Sequence, residues 1–349
     1  MNNDKKYDDN KYDDIFKHFQ INDKDILDFK YELGEGAFGT VRQCRMRNKK
    51  LYAAKLVEKE KSDKILIEKL RGKNIIEIVK ISEAKYEDKY YYLIIMEFAL
   101  LENMKKFIDN LFNMKILKTI NWPFDEIIGN NILRFFTKQI VDGMKIFERN
   151  KLVHFDIKPE NILITSQLKL KIADFSFLKD LNQEGNSFEV PGGTKGYLPP
   201  EYYQSKKVDK NLANRFDFFS LGATLYYLKF NKYLLNCNQK NSNEIRDSYL
   251  INLLQKNIYL MKSNLLLDKD FITFICCLID YLPEERANFE EIYRNKWLNE
   301  NREEIKEIVN PYYKNDERKL TMELIKSDFL IEKKKKNKNI KKLRFKFVE

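Results

Sequence analysis

Three polar residues stand at short, fixed offsets in the stretch LVHFDIKPENILI, residues 152–164: Asp156, Lys158 and Asn161. A fourth, Asp174 in "ADF", follows thirteen residues after Asn161. A carboxylate such as Asp156, held beside a hydroxyl, can orient it and accept its proton. Lys158 can neutralise charge on a phosphoryl group in transit. Asn161 and Asp174 offer hard oxygen donors suited to Mg²⁺. Far upstream, "GEGAFGTV" sets Gly34, Gly36 and Gly39 in a G-x-G-x-x-G pattern. Backbone amides there can approach phosphate oxygens with no Cβ in the way. Lys55 follows two alanines and can reach the α- and β-phosphates of a nucleotide as a point charge. Each feature alone has a plainer explanation: a glycine hairpin, a solvated lysine, an acid that caps a turn. The ordered set makes those explanations fail together, and the chemistry it spells is phosphoryl transfer.

The elements that must hold these residues fall into two groups. From residue 29 to about 98 the pattern is strand-rich. "KYELGEGAFGTVRQCRM" and "KLYAAKLVEK" alternate as strands about a turn. Because Val41 onward continues as a strand, the glycines form a flap over phosphates and not the start of a helix. "SDKILIEKLRG" places Ile65, Leu66, Ile67 and Leu70 at helical spacing and stops at Gly72. "NIIEIVKI" and "YYYLIIMEF" read as further strands. From 99 to 298 the pattern is mainly helical, with "NNILRFFTKQIVDGMKIFERN" leading into the Asp156 stretch. A small strand lobe before a larger helical one leaves a cleft, a common place for a small ligand.

The chain has 349 residues, 43% apolar and 34% charged, enough for a large core split over two lobes. No apolar run reaches the length of a membrane span; "FITFICCLI" fits a buried helix. Cys44, Cys237, Cys276 and Cys277 have no metal-ligand spacing and read as reduced thiols, and two histidines, His18 and His154, exclude a histidine-rich metal site. The net charge of +11 is concentrated in a tail: nine lysines and arginines and no acid lie between 333 and 346. Without them the chain is near neutral, so the basic balance describes a tail and no specific nucleic acid is expected as a partner. In "LRFKFVE", Leu343, Phe345 and Phe347 interleave with basic residues, a pattern suited to an anionic membrane surface or to a nuclear import receptor. Residues 1–28 are polar and read as a partly disordered leader; residues 299–349 read as a charged tail. With no signal-peptide core in "MNNDKKYDDN", the expected location is cytoplasmic, or nuclear through the lysine run.

Across residues 29–298 the chain resembles the eukaryotic protein kinases. The resemblance implies an α+β, bilobal protein-kinase fold: an antiparallel-sheet small lobe, 29–98, with one main helix, and a larger helical lobe, 99–298. It implies that ATP and Mg²⁺ are used and that a protein hydroxyl is the acceptor. By it, Gly34, Glu35, Gly36, Ala37, Phe38, Gly39 and Val41 form the nucleotide flap, and Lys55 is the phosphate lysine. Ala53, Met96, Glu97, Ala99 and Leu163 line the nucleotide, with Glu102 where an acid often bonds the ribose. Asp156 is the base with Lys158 beside it, and Asn161 and Asp174 hold the metal. Glu201 of "PPE" is expected to pair with Arg286, Asp217 to brace the catalytic loop, and Trp297 to close the domain. The lysine in "DIKPEN" and Thr194 in "GTKGYLPPE" are similar to the serine/threonine branch.

Four departures follow. Phe155 replaces an arginine that often binds a phosphorylated activation segment; Phe cannot donate to a phosphate, so that mode of control is missing. Pro199 for alanine is benign. Ser176 replaces glycine after "DF", which narrows backbone freedom there. The family pairs its phosphate lysine with a glutamate on the small-lobe helix, and here the segment after Lys55 is short. Aligning "LIEKLRGKNII" with the end of that helix puts Asp63 in this place. Ile67 then faces the core one turn on, in an apolar stack with Ile78, His154 and Phe175. Glu60 would instead place Lys64 there, and Glu68 would place Gly72. Asp63 is shorter than glutamate by about 1.5 Å; the other reading is a solvent-facing acid at a helix start. Ser176 and Asp63 together favour the alternative of a pseudokinase, a nucleotide-binding or scaffolding module without useful turnover.

Overall fold

A computed structural model describes residues 9–36, 39–61, 63–99, 103–109, 130–165, 169–182, 185–236, 247–264 and 267–300. The expected α+β architecture in two lobes is the one observed. The small lobe is a five-stranded antiparallel sheet of β1 (Ile26–Gly36), β2 (Gly39–Met46), β3 (Leu51–Glu58), β4 (Ile78–Tyr86) and β5 (Lys89–Glu97), in the order β1-β2-β3-β5-β4. The period-2 pattern of β3 splits its side chains between two cores. Ala53 and Val57 join the cleft-side core, and Ala54 and Leu56 join the outer one. Lys55 lies between Val41 of β2 and Ile94 of β5 in register, on the same face as Ala53 and Val57.

The outer face corrects the reading of the polar leader over residues 9–22, which belong to the fold. Residues Asp9–Asn22 form a helix, α1, which buries Ile15, Phe16 and Phe19 against Ile26, Cys44, Leu56, Leu93 and Ile95. The stripe is narrow, and charged residues on either side of it conceal it in the sequence. Polar contacts fix the helix and the turn after it. Asp13 pairs with Arg42, the Arg42 guanidinium sits 4.6 Å over the Phe16 ring, and Asp23 takes Lys80 at 2.7 Å. Between β3 and β4 lies a second helix of only five residues, α2 (Lys64–Glu68), with Leu66 and Ile67 buried.

The larger lobe is built on α3 (Asn130–Arg149), α4 (Pro200–Gln204), α5 (Ala213–Phe230), α6 (Asp247–Ser263), α7 (Lys269–Leu278), α8 (Phe289–Arg294) and α9 (Lys296–Asn299). Helix α5 is apolar nearly all round and runs through the centre, as a core helix must. Short strand pairs carry the functional loops on its upper side. These are β6 (Leu152–Val153) with β9 (Lys179–Asp180), β7 (Ile162–Ile164) with β8 (Leu170–Ile172), and β10 (Ser187–Glu189) with β11 (Lys207–Asp209). Trp297 is fully buried, stacked on Phe274 at 5.1 Å.

If α1 is an integral layer of the small lobe, Phe16→Ala will act as a core truncation. The expected loss is about 3–5 kcal/mol of unfolding free energy, read as a lowered midpoint in urea denaturation of the full chain.

Candidate active site

Two chain segments 119 residues apart meet across the cleft: Lys55 Nζ lies 2.6 Å from Asp174 Oδ1. It also donates to Ser176 Oγ at 2.9 Å. The Ser176 hydroxyl in turn donates to Asp174 Oδ1 at 2.6 Å. Burial pushes the Asp174 carboxyl up, but the Lys55 charge and the bonds from Lys55 and Ser176 outweigh it and hold the group well below the usual carboxylate range. Asp174 has a φ of 63°, a left-handed backbone that a non-glycine residue keeps only when its surroundings enforce it.

Asp63 does not pair with Lys55. It is the N-cap of α2, exposed, and its carboxylate accepts from the Leu66 backbone N–H at 3.1 Å. Ile67 is buried as the alignment requires, and Ile78, His154 and Phe175 are buried with it. The His154 and Phe175 rings meet edge to face at 5.9 Å. The misplacement lies one turn earlier. The helix begins at Lys64, so the residue before it has an orphan N–H to cap and a short side chain suited to capping it. Glu68 lies 3.8 Å from Lys64 on the exposed side of the same helix.

The loop from His154 to Asn161 is pinned from below by Asp217 of α5. Its two oxygens accept from the backbone N–H groups of His154 at 2.7 Å and Phe155 at 2.8 Å. Burial pushes the Asp217 carboxyl up to about 7 while these two donors pull it down. Phe155, between them, has a φ of 62°, so Asp217 holds a strained turn in place. Burial pushes the His154 imidazole below its ordinary range; Nδ1 accepts from the Asp156 N–H and Nε2 lies against the Ala173 carbonyl. Asp156 is nearly enclosed and fully engaged. Thr194 Oγ1 donates to Oδ1 at 2.8 Å, Asn161 Nδ2 donates to Oδ2 at 2.8 Å, and Lys158 Nζ lies 2.7 Å from Oδ2. Lys158 also donates to Thr194 at 2.5 Å. Thr194 is thus part of the polar cluster around Asp156, a role its place in the sequence did not reveal.

Asn161 spends its amide nitrogen on the Asp156 carbonyl and carboxylate, which leaves its Oδ1 as a hard donor. Together with the Asp174 carboxylate this set fits Mg²⁺, which takes one or two protein oxygens and completes its shell with phosphates and water. Among the described residues no group of three or more His, Cys, Asp or Glu could hold a metal ion.

Of the flap, Gly34, Glu35, Gly36 and Gly39 are described, whereas Ala37, Phe38 and Glu102 lie outside the described residues. Gly39 is demanded by the fold, since a Cβ there would meet the Leu56 carbonyl at 1.9 Å. Nothing comes within 4 Å of a Cβ on Gly34, so the protein itself sets no demand for glycine there. Val41, Ala53, Met96 and Leu163 of β7 all pack into one core, and Met96 also lines the cavity shared with Lys55, Asp174 and Ser176. Glu97 at the lobe junction pairs with Lys171 at 2.6 Å and accepts from the Glu77 N–H. Ala99 follows it in irregular backbone.

Phe155 fills the place below the activation segment with an apolar plug. It is buried among Val153, Val190, Leu198, Val208 and Phe216, with its ring edge-on to Phe188 of β10 at 5.8 Å. Glu201 and the buried Arg286 form a two-pronged pair at 2.8 and 2.7 Å.

A family profile described as "Protein kinase domain" matches residues 27–298. This chain belongs to the protein kinase family. Serine/threonine-protein kinase cds1 of Schizosaccharomyces pombe is 31% identical over 164 residues, which cover 46% of this chain and 34% of that one. Rhodopsin kinase GRK1 of Rattus norvegicus is 25% identical over 213 residues, 58% of this chain and 34% of that one. Aurora kinase of Saccharomyces cerevisiae is 24% identical over 295 residues, 82% of this chain and 72% of that one. The matches to the first two span about a third of those relatives' length. Helix α1 lies before the matched kinase domain.

As a cap and not a lysine partner, Asp63 is expected to matter for stability alone. Asp63→Ala should lower unfolding free energy by about 1 kcal/mol, and the ATP affinity of the folded protein, read by titration, should stay within about twofold.

Proposed function

We propose that this kinase is an active, ATP- and Mg²⁺-dependent enzyme that phosphorylates serine or threonine hydroxyls of proteins. The observation that carries the reading is the Lys55–Asp174 pair spanning the cleft at 2.6 Å, beside an Asp156 carboxylate whose oxygens are both held. In this reading Lys55 turns its ammonium to the α- and β-phosphates, under a flap in which Gly34 leaves room for close approach. Mg²⁺, when bound, neutralises charge on the phosphate oxygens, and Asp174 and Asn161 would hold it. Asp156 orients the acceptor hydroxyl and takes its proton as the bond from that oxygen to the γ-phosphorus forms and the bond from the γ-phosphorus to the β–γ bridging oxygen breaks, ADP leaving with the electron pair. Lys158, within reach of both Asp156 and Thr194, balances charge on the moving phosphoryl group. Lys158 and Thr194, similar to the serine/threonine branch, support a Ser or Thr acceptor, as do the names of cds1 and other relatives.

A second reading, a nucleotide-binding module without turnover, is favoured by one observation: Asp63 caps a helix and no acid of α2 meets Lys55. Incubating the chain with radiolabelled ATP, Mg²⁺ and mixed protein substrates, followed by phosphoamino-acid analysis, separates the two. Label on serine and threonine is expected, and Asp156→Ala and Asp174→Ala should each reduce it by about 10²–10⁴-fold. Wild-type label no higher than in Asp174→Ala would overturn the first reading.

The basic run at 333–346 lies outside the described residues. We read it as a tether to an anionic membrane surface, each basic residue contributing about 1 kcal/mol near such a surface, on a protein that is otherwise cytoplasmic. Deleting 333–349 should abolish binding to phosphatidylserine vesicles at low salt. Redistribution out of the nucleus without a change in vesicle binding would assign the run to nuclear import instead.

A further inference from the structure

We infer that Ser176 is the positioning residue of Lys55, doing through a neutral hydroxyl what no acid of α2 does. The inference rests on the nucleotide-binding reading above.

The acids nearest in sequence are committed or remote. Glu58 pairs with Lys89 at 3.0 Å, Asp63 accepts from the Leu66 N–H, Glu68 lies on the Lys64 side of α2, and Glu60 is exposed. The ammonium of Lys55 instead meets Asp174 and Ser176. Asp174 alone is a poor permanent partner, because the same carboxylate is the one suited to the metal. Once it serves a dication, its attraction for a second cation falls. Ser176 has no such conflict. A hydroxyl has one hydrogen, and here it goes to Asp174 Oδ1 at 2.6 Å, which leaves lone pairs toward Lys55 at 2.9 Å. The arrangement is directional and carries no charge of its own. The Ser176 backbone N–H also reaches Asp174 Oδ1 at 3.3 Å, so the turn that strains Asp174 is the same one that presents the hydroxyl. A glycine or alanine at 176 would keep the turn and lose the anchor.

The test is calorimetric titration of the full chain with adenosine and, in Mg²⁺, with a non-hydrolysable ATP analogue. Lys55 acts on phosphates, so only the second ligand senses its orientation. Ser176→Ala and Ser176→Gly should weaken the analogue by about tenfold and leave adenosine within about twofold. Ser176→Thr, which keeps the hydroxyl, should restore analogue binding. In a Lys55→Met background, Ser176→Ala should cost nothing further, since its effect passes through the lysine. Unchanged analogue affinity in Ser176→Ala overturns the inference alone. Additive losses in the double variant overturn it too, by showing that Ser176 acts on Asp174 and not on Lys55. A wild-type chain that binds neither ligand removes the nucleotide reading along with it.

Discussion

The contact between Lys55 and Asp174 is the constraint on which the site depends, because it joins parts that nothing in local sequence brings together. Lys55 belongs to a strand whose position is set by its neighbours in the small sheet. Asp174 belongs to a turn that leaves β8, whose pairing with β7 carries Asn161 and Leu163 on the opposite strand or at its start. Bringing opposite charges together across a cleft ties the strand of one lobe to the turn of the other. It also confines a flexible lysine, which otherwise loses side-chain entropy when it is ordered by a ligand.

Strain at two backbones is matched by polar bonds nearby. Phe155 and Asp174 both have positive φ, and each is clasped at once: Phe155 by Asp217 through main-chain N–H groups, Asp174 by Lys55 and Ser176. Asp217 sits on the deeply buried α5, so the loop from His154 to Asn161 is referenced to the core and not to the surface. The loop can therefore be irregular and still hold Asp156, Lys158 and Asn161 in one arrangement.

Much of this was legible in the sequence because it depends on short-range pattern. The alternation around Lys55, the helical period before His154 and the ordered polar residues after it each have a local cause. What was not legible depends on partners distant in the chain. Helix α1 has only Ile15, Phe16 and Phe19 to mark it, and its binding face is assembled from four strands of the sheet. Ile67 could be placed at the right depth, since burial follows periodicity. The choice of Asp63 between a lysine and a backbone N–H turns on where one helix starts, and spacing does not report that. Ser176 was visible as a missing glycine, but the acceptor it offers to Lys55 appears only when β3 lies over the turn. The loss of arginine at 155 was equally plain, whereas the apolar residues that receive the phenyl ring come from β10, β11 and α5.

That ring changes the kind of force that orders the activation segment. A phosphate held by arginine weakens as salt screens it and disappears when a phosphatase removes it. Phe155, packed on Phe188, Val208 and Phe216, holds the segment by exclusion of water, a force that salt does not screen and that weakens on cooling. The contacts of Phe155 with Phe188, Val208 and Phe216 therefore respond to temperature more than to salt.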